Sequence, residues 1–192
     1  MSEREEYGAE RGSQLRLAAW GLAGVLLIMA GVSKILTGMP DWGVLDFVLI
    51  GLLLAGPLFG YELAVRRSHK SQYRAGAAVA LLATMLLVWI NLAVGIIGSE
   101  DNLANGMYVA VLAIAASGAY VARFGADGLG RAMMATAGAQ ALVTVIAIGL
   151  EFNAPYREPM ELIFINTFFI SLWLGSGWLF FQAARDGSVA DA

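Results

Sequence analysis

Six apolar stretches of about 20 residues each, joined by short polar connections, set the frame for this 192-residue chain. A helix rising about 1.5 Å per residue needs about 20 residues to cross a hydrocarbon core roughly 30 Å thick. The stretches are Leu17–Leu36, Val44–Val65, Gly76–Ile97, Leu103–Ala122, Ala132–Leu150 and Leu162–Ala184. The fourth is Ala-rich and carries Asn105 in its first turn. Lipid offers the backbone no hydrogen-bond partner, so segments this long must be helical to cross it. The expected fold is therefore all-α, a polytopic membrane protein built as a six-transmembrane-helix bundle over residues 15–184. A polar, mobile tail is expected at 1–14 and a short second tail at 185–192. Short connections predict that sequential helices are antiparallel neighbours.

Composition agrees. Hydrophobic residues make up 59% of the chain and charged residues 14%, against about 25% charged in soluble domains. The absence of cysteine rules out disulfides, iron–sulfur clusters, thiolate zinc sites and cysteine nucleophiles. The single histidine, His69, sits among cations in a loop and reads as a surface residue. No cofactor or metal site is expected. No basic run interleaved with aromatics suggests nucleic acid. The first apolar stretch is longer than a signal-peptide core and no A-x-A-like site follows it, so a cleaved leader is not expected.

Orientation follows from the cations. Ten of the twelve Lys and Arg residues fall on one side: Arg4, Arg11, Arg16, Arg66, Arg67, Lys70, Arg74, Arg123, Arg131 and Arg185. Only Lys34 and Arg157 fall on the other. The positive-inside rule then puts both termini in the cytoplasm. Trp42, Tyr108 and Tyr156 fall near the outer boundary, and Tyr61, Tyr73 and Trp178 near the inner one. Trp89 and Trp173 lie deeper, packed between helices or facing acyl chains.

Small residues recur at four-residue spacing in Gly51/Ala55, Gly56/Gly60, Ala115/Ala119, Ala135/Ala139 and Ala137/Ala141. Such pairs let helices approach closely, either within the chain or in self-association with another copy or another membrane protein. Pro57 removes one backbone bond and should kink the second helix.

The outer side is acidic, with Asp41, Asp46, Glu100, Asp101, Glu151, Glu158 and Glu161. Asn91, Asn102, Asn105, Asn153 and Asn166 join them. Clustered oxygens suit a cation or the mouth of a cation path, and they equally suit solvated loop tips and helix starts. Ser99-Glu100-Asp101-Asn102 lacks the ligand spacing of an EF-hand loop. Asp46, Asn91 and Asn166 lie inside their spans, where unpaired polar groups are costly. Lys34 is at similar depth to Asp46. A Lys34–Asp46 pair and a shallow polar pocket open to the outside, formed by Lys34, Asp46, Asn91, Glu100, Asp101, Asn102 and Asn166, are the two readings. Near the midplane the polar residues are Thr84, Gln140, Thr144 and Ser171, with no ionisable group. That argues against a proton-coupled carrier. Gln140 reads as interhelical glue worth about 1 kcal/mol.

On the inner side Glu62 precedes Arg66 by four residues, a favourable helical pair. The basic loop Arg66–Lys70 suits anionic lipid heads, and topology alone also demands it. Gly125-Ala126-Asp127-Gly128-Leu129-Gly130 superficially suggests a dinucleotide fingerprint, but the glycine order is wrong and no strand precedes it. It reads as a flexible connection. There is no G-x-S-x-G, H-E-x-x-H or Walker A motif.

The run from Trp89 to Asn102, together with Asp46-Phe47 and Tyr61-Glu62-Leu63-Ala64-Val65-Arg66, resembles small bacterial multi-pass inner-membrane proteins of unassigned activity. The likeness covers residues 42–182. It implies a bacterial cytoplasmic (inner) membrane and six helices, and it implies no activity. Three functions remain open: an accessory or scaffolding membrane component without catalysis, a small permease or channel, and a lipid-active membrane enzyme. The enzyme is the least supported, since only Glu100, Asp101 and Glu151 are candidates for it. The expected partners are membrane lipids.

Overall fold

A computed structural model of the chain describes residues 3–37 and 43–188. The side chains of 3–11, 15, 30, 34, 37, 187 and 188 lie outside that description. The chain is 84% helix, with no strand among the described residues. The helices are α1 (Glu3–Thr37), α2 (Val44–Arg67), α3 (Ser71–Ala93), α4 (Met107–Val121), α5 (Ala126–Gly149) and α6 (Pro159–Ser188). A 3₁₀ turn, Leu103–Gly106, leads into α4. Six segments are long and apolar enough to cross a membrane, the shortest being Leu103–Val121 with 19 residues.

The chain divides into two compact units, one ending at Glu62 and the other starting at Leu63. In the first, α1 is already helical at Glu3, so the polar segment expected as a mobile tail forms the opening turns of a helix. α2 runs through Pro57 without interruption. Glu62 pairs with Arg16 at 3.6 Å, and not with Arg66 as its spacing suggested.

In the second unit α5 packs on both α4 and α6, and α6 packs on α3. α3 thus has its main partner in α6, whereas chain order had pointed to α4. The buried residues explain the packing. On α6 they are Leu162, Asn166, Phe169, Trp173, Ser176, Phe180 and Ala183. Their spacing alternates four and three, the 3.5-residue period of left-handed packing at about 20°. α5 repeats it with Leu129, Met133, Thr136, Gln140, Val143 and Ala147. Gly130, Ala137 and Thr144, seven apart, widen its buried face for two neighbours. α3 follows with Tyr73, Gly76, Ala80, Ala83, Leu87 and Ile90.

Glycine sets how near the helices come. A Cβ on Gly118 of α4 would stand 2.7 Å from Ala132 Cβ of α5. A Cβ on Gly130 of α5 would stand 2.6 Å from the Phe181 ring, and one on Gly177 of α6 would stand 3.1 Å from the Gly130 carbonyl. This is why the glycine-rich stretch read as a flexible connection is instead helical from Ala126, with Leu129 and Gly130 buried. Its glycines serve close packing on α4 and α6. Of the two deep tryptophans, Trp173 is fully buried and Trp89 is half exposed.

Candidate functional site

Charge divides the second unit into two ends. The acidic end holds Glu100, Asp101, Glu151, Glu158 and Glu161 beside one cation, Arg157. The basic end holds Arg66, Arg67, Lys70, Arg74, Arg123, Arg131 and Arg185 beside Asp127 and Asp186.

The acidic end is organised by Asn105. α3 stops at Ala93, four residues earlier than hydropathy suggests, because Gly95 (φ 66°) and Gly98 (φ 75°) turn the chain back on itself. A Cβ on Gly95 would lie 2.4 Å from the Ser99 carbonyl oxygen, so glycine is required there. The turn buries Ile96 and Ile97 completely. Their two backbone N–H groups both donate to Asn105 Oδ1, at 3.0 and 2.8 Å. Asn105 Nδ2 donates to the Ser99 carbonyl at 2.7 Å, and Asn91 Nδ2 donates to the Asn105 carbonyl at 3.2 Å. Asn102 caps the 3₁₀ turn through Ala104 N and reaches Phe152 O at 2.7 Å, joining this loop to the α5–α6 connection. Arg157 adds a second link to Gly95 O at 3.3 Å and pairs with Glu161 at 3.7 Å.

Deeper, Asn166 Oδ1 accepts from Tyr108 OH at 3.0 Å and from Gln140 Nε2 at 2.8 Å. One amide oxygen thereby fastens α4, α5 and α6. Asn166 Nδ2 turns back to its own helix at Leu162 O. Thr84, Thr136, Thr144 and Ser171 each donate to the carbonyl four residues before them, while Ser176 crosses to Gly76 O at 2.8 Å. Among the described residues, five buried side-chain polar atoms have no partner: Asn91 Oδ1, Gln140 Oε1, Asn153 Oδ1, Arg157 Nε and Trp173 Nε1.

The residues singled out from sequence therefore separate. Asn91 and Asn102 join the Asn105 loop cluster, and Asn166 and Gln140 join the interhelical cluster. Thr84 bonds only within α3. Glu100 and Asp101 are exposed at the loop tip. Asp46 belongs to the first unit, where its Oδ2 accepts from Gly43 N at 2.7 Å as a cap for α2. The Lys34 side chain lies outside the described residues, as do Asp41 and Trp42. Tyr108 and Arg157 are not among the site residues expected from sequence, and Asn105 and Asn153 enter there as outer amides, Asn105 also as the polar residue in the first turn of the fourth stretch. A glycine pair followed within ten residues by asparagines was the available signal.

At the basic end the cations meet helix C-termini, whose last carbonyls lack intrahelical partners. Lys70 Nζ donates to Ala183 O of α6 at 2.8 Å. Arg74 reaches Ser68 O at 2.8 Å and Val65 O at 3.3 Å, beyond and within the end of α2. Arg67 donates to Arg123 O at 3.1 Å, and Tyr73 OH donates to Phe124 O at 2.9 Å. Arg123 and Phe124 both have positive φ, 48° and 58°. They close α4 in a Schellman turn, with Phe124 N on Ala119 O and Arg123 N on Tyr120 O. The basic loop thus caps the ends of α2 and α4 and adds a second donor to a carbonyl inside the last turns of α6. Among the described residues no three acidic or histidine side chains converge.

No protein family, curated protein or solved structure matches the chain.

Proposed function

We propose that this chain is a multi-pass protein of the bacterial cytoplasmic membrane, both termini inside, acting as an accessory or scaffolding component without chemistry of its own. The observation that carries this reading is how the buried polar side chains are used. Asn105, Asn166, Gln140, Ser176 and Tyr108 donate to or accept from one another, the backbone or neighbouring helices. The two hydroxyls among them donate to an amide oxygen and a backbone carbonyl, neither of which acts as a general base. The charge division of the second unit supports the orientation. The resemblance of residues 42–182 supports the bacterial membrane.

In the first unit α1 and α2 leave most apolar side chains bare, among them Leu17, Ile28, Leu52 and Phe59. A methyl group on Gly21, Gly24, Gly31, Gly51 or Gly56 would meet nothing within 4 Å. Such flanks suit lipid or a partner helix. Native mass spectrometry after purification in mild detergent tests the reading. Stable association with a larger membrane complex is the expected result. A solitary oligomer that makes liposomes permeable would refute it.

The second reading is a small permease entered from the acidic end. The unpartnered Asn91 Oδ1, Asn153 Oδ1, Arg157 Nε and Gln140 Oε1 favour it, since bare polar atoms of that kind suit a hydrated path. Under this reading Asn91→Leu lowers flux in proteoliposomes and leaves stability nearly unchanged. Under the first reading the same change lowers stability.

A further inference from the structure

Of the seven cations at the basic end, Lys70 and Arg74 are taken up by backbone carbonyls, while Arg66, Arg67 and Arg123 form a patch of their own. Arg131 is held by Asp127 at 2.7 Å. Arg66 and Arg123 are exposed, and among the described residues neither side chain has an ion-pair or hydrogen-bond partner. Arg67 is also exposed. Its one acceptor is the neutral carbonyl of Arg123, so its charge is uncompensated, and the bond brings the end of α2 against the α4–α5 turn. Beside this trio lie Tyr120, Val121 and Phe124, exposed at 78%, 79% and 52%. Two consecutive left-handed residues hold this turn, a conformation unfavourable for any residue but glycine. The strained turn keeps the Arg123 guanidinium and the Phe124 ring on adjoining positions outside the helix. Cations next to bare aromatic and aliphatic groups match a lipid, whose charged head and acyl chain are joined in that order.

We propose that Arg66, Arg67 and Arg123 form a binding site for the headgroup of an anionic phospholipid, with Tyr120, Val121 and Phe124 against its acyl chain. The proposal rests on the membrane reading above and adds a defined site to it. Each cation near an anionic surface contributes about 1 kcal/mol, a factor of about five in affinity.

The test uses the full chain in detergent micelles, with native mass spectrometry comparing retained phosphatidylglycerol and phosphatidylcholine. Both lipids carry a phosphate, and only the first is net anionic. The wild type should retain phosphatidylglycerol preferentially. The double variant Arg66→Gln/Arg123→Gln should lower that preference about 25-fold. Neither side chain makes a bond in the structure, so helical content by circular dichroism should not change. Arg131→Gln should leave the preference within about twofold, because Asp127 already compensates that charge. Millimolar inorganic phosphate should not displace the lipid. Equal retention of the two lipids would overturn the site, as would an unaffected double variant or stripping by free phosphate. A chain that stayed in solution without detergent would overturn the membrane reading and the site together. A detergent-dependent chain indifferent to headgroup charge would overturn the site alone.

Discussion

Asn105→Ala puts the organisation of the acidic end to a quantitative test. The substitution removes the acceptor of two backbone N–H groups, those of Ile96 and Ile97, both in residues with no solvent exposure. It also removes the donor to Ser99 O. A buried polar group left without a partner costs about 1–3 kcal/mol, against a net gain of about 1 kcal/mol for an ordinary hydrogen bond. Two orphaned donors and one weakened acceptor give an expected loss of about 3–5 kcal/mol. Asn105→Asp keeps an oxygen for both N–H groups and gives up the bond to Ser99, so its loss should be smaller than that of the alanine variant. Equilibrium unfolding in mixed micelles measures both values. Hydrogen exchange at Ile96 and Ile97 supplies the local readout, with protection lost in Asn105→Ala and retained in Asn105→Asp. A loss below about 1 kcal/mol with both amides still protected would refute the reasoning, because the turn would then hold itself without the side chain.

Other outcomes follow from the same geometry. In a Gln140→Leu and Asn166→Leu double-mutant cycle the coupling should be about 0.6–1.7 kcal/mol, and Asn166→Leu should be the worse single change because it strands both Tyr108 and Gln140. Gly118→Ala should destabilise by about 1–3 kcal/mol, since its Cβ would stand 2.7 Å from the backbone-anchored Ala132 Cβ. Gly138→Ala meets nothing within 4 Å and should be neutral or stabilising by up to about 1 kcal/mol, so equal losses at the two sites would contradict the packing described. Glu151 occupies the left-handed position of a Schellman turn, with Phe152 N on Ala147 O and Glu151 N on Ile148 O. Glu151→Gly should therefore raise stability by about 1 kcal/mol in the same unfolding assay.

The six apolar segments were legible because lipid leaves a polypeptide few alternatives: length and hydropathy alone locate a spanning helix. The helix ends were not. α3 ends at Ala93 because Asn105, twelve residues later, takes the turn's N–H groups, and hydropathy reads Ile96 and Ile97 as more helix. α5 begins at Ala126 because its glycines admit Phe181 and Gly177 from α6, a fact held in another part of the chain. The alternating spacing from Leu162 to Ala183 was open to a sequence reader, but every face of a membrane helix is apolar, so the buried row does not stand out by polarity. Asn166 and Gln140 were legible as costly polar residues, and only the fold could say that they meet. The candidate polar residues were grouped by depth, and depth does not say which polar cluster a side chain joins, as Asn91 and Asn166 illustrate.

The Gln140–Asn166 contact also acts as a ruler. Residues seven apart repeat so evenly along α5 and α6 that sliding one helix by two turns would still set apolar side chains against apolar side chains along most of the row. Such a slip would set Gln140 opposite Trp173 or Pro159, whose side chains hold no acceptor, and leave its Nε2 without the Asn166 oxygen. This polar layer thus joins the Gly130 and Gly177 contacts in giving the two helices one alignment, and it does so without any contribution from the loops.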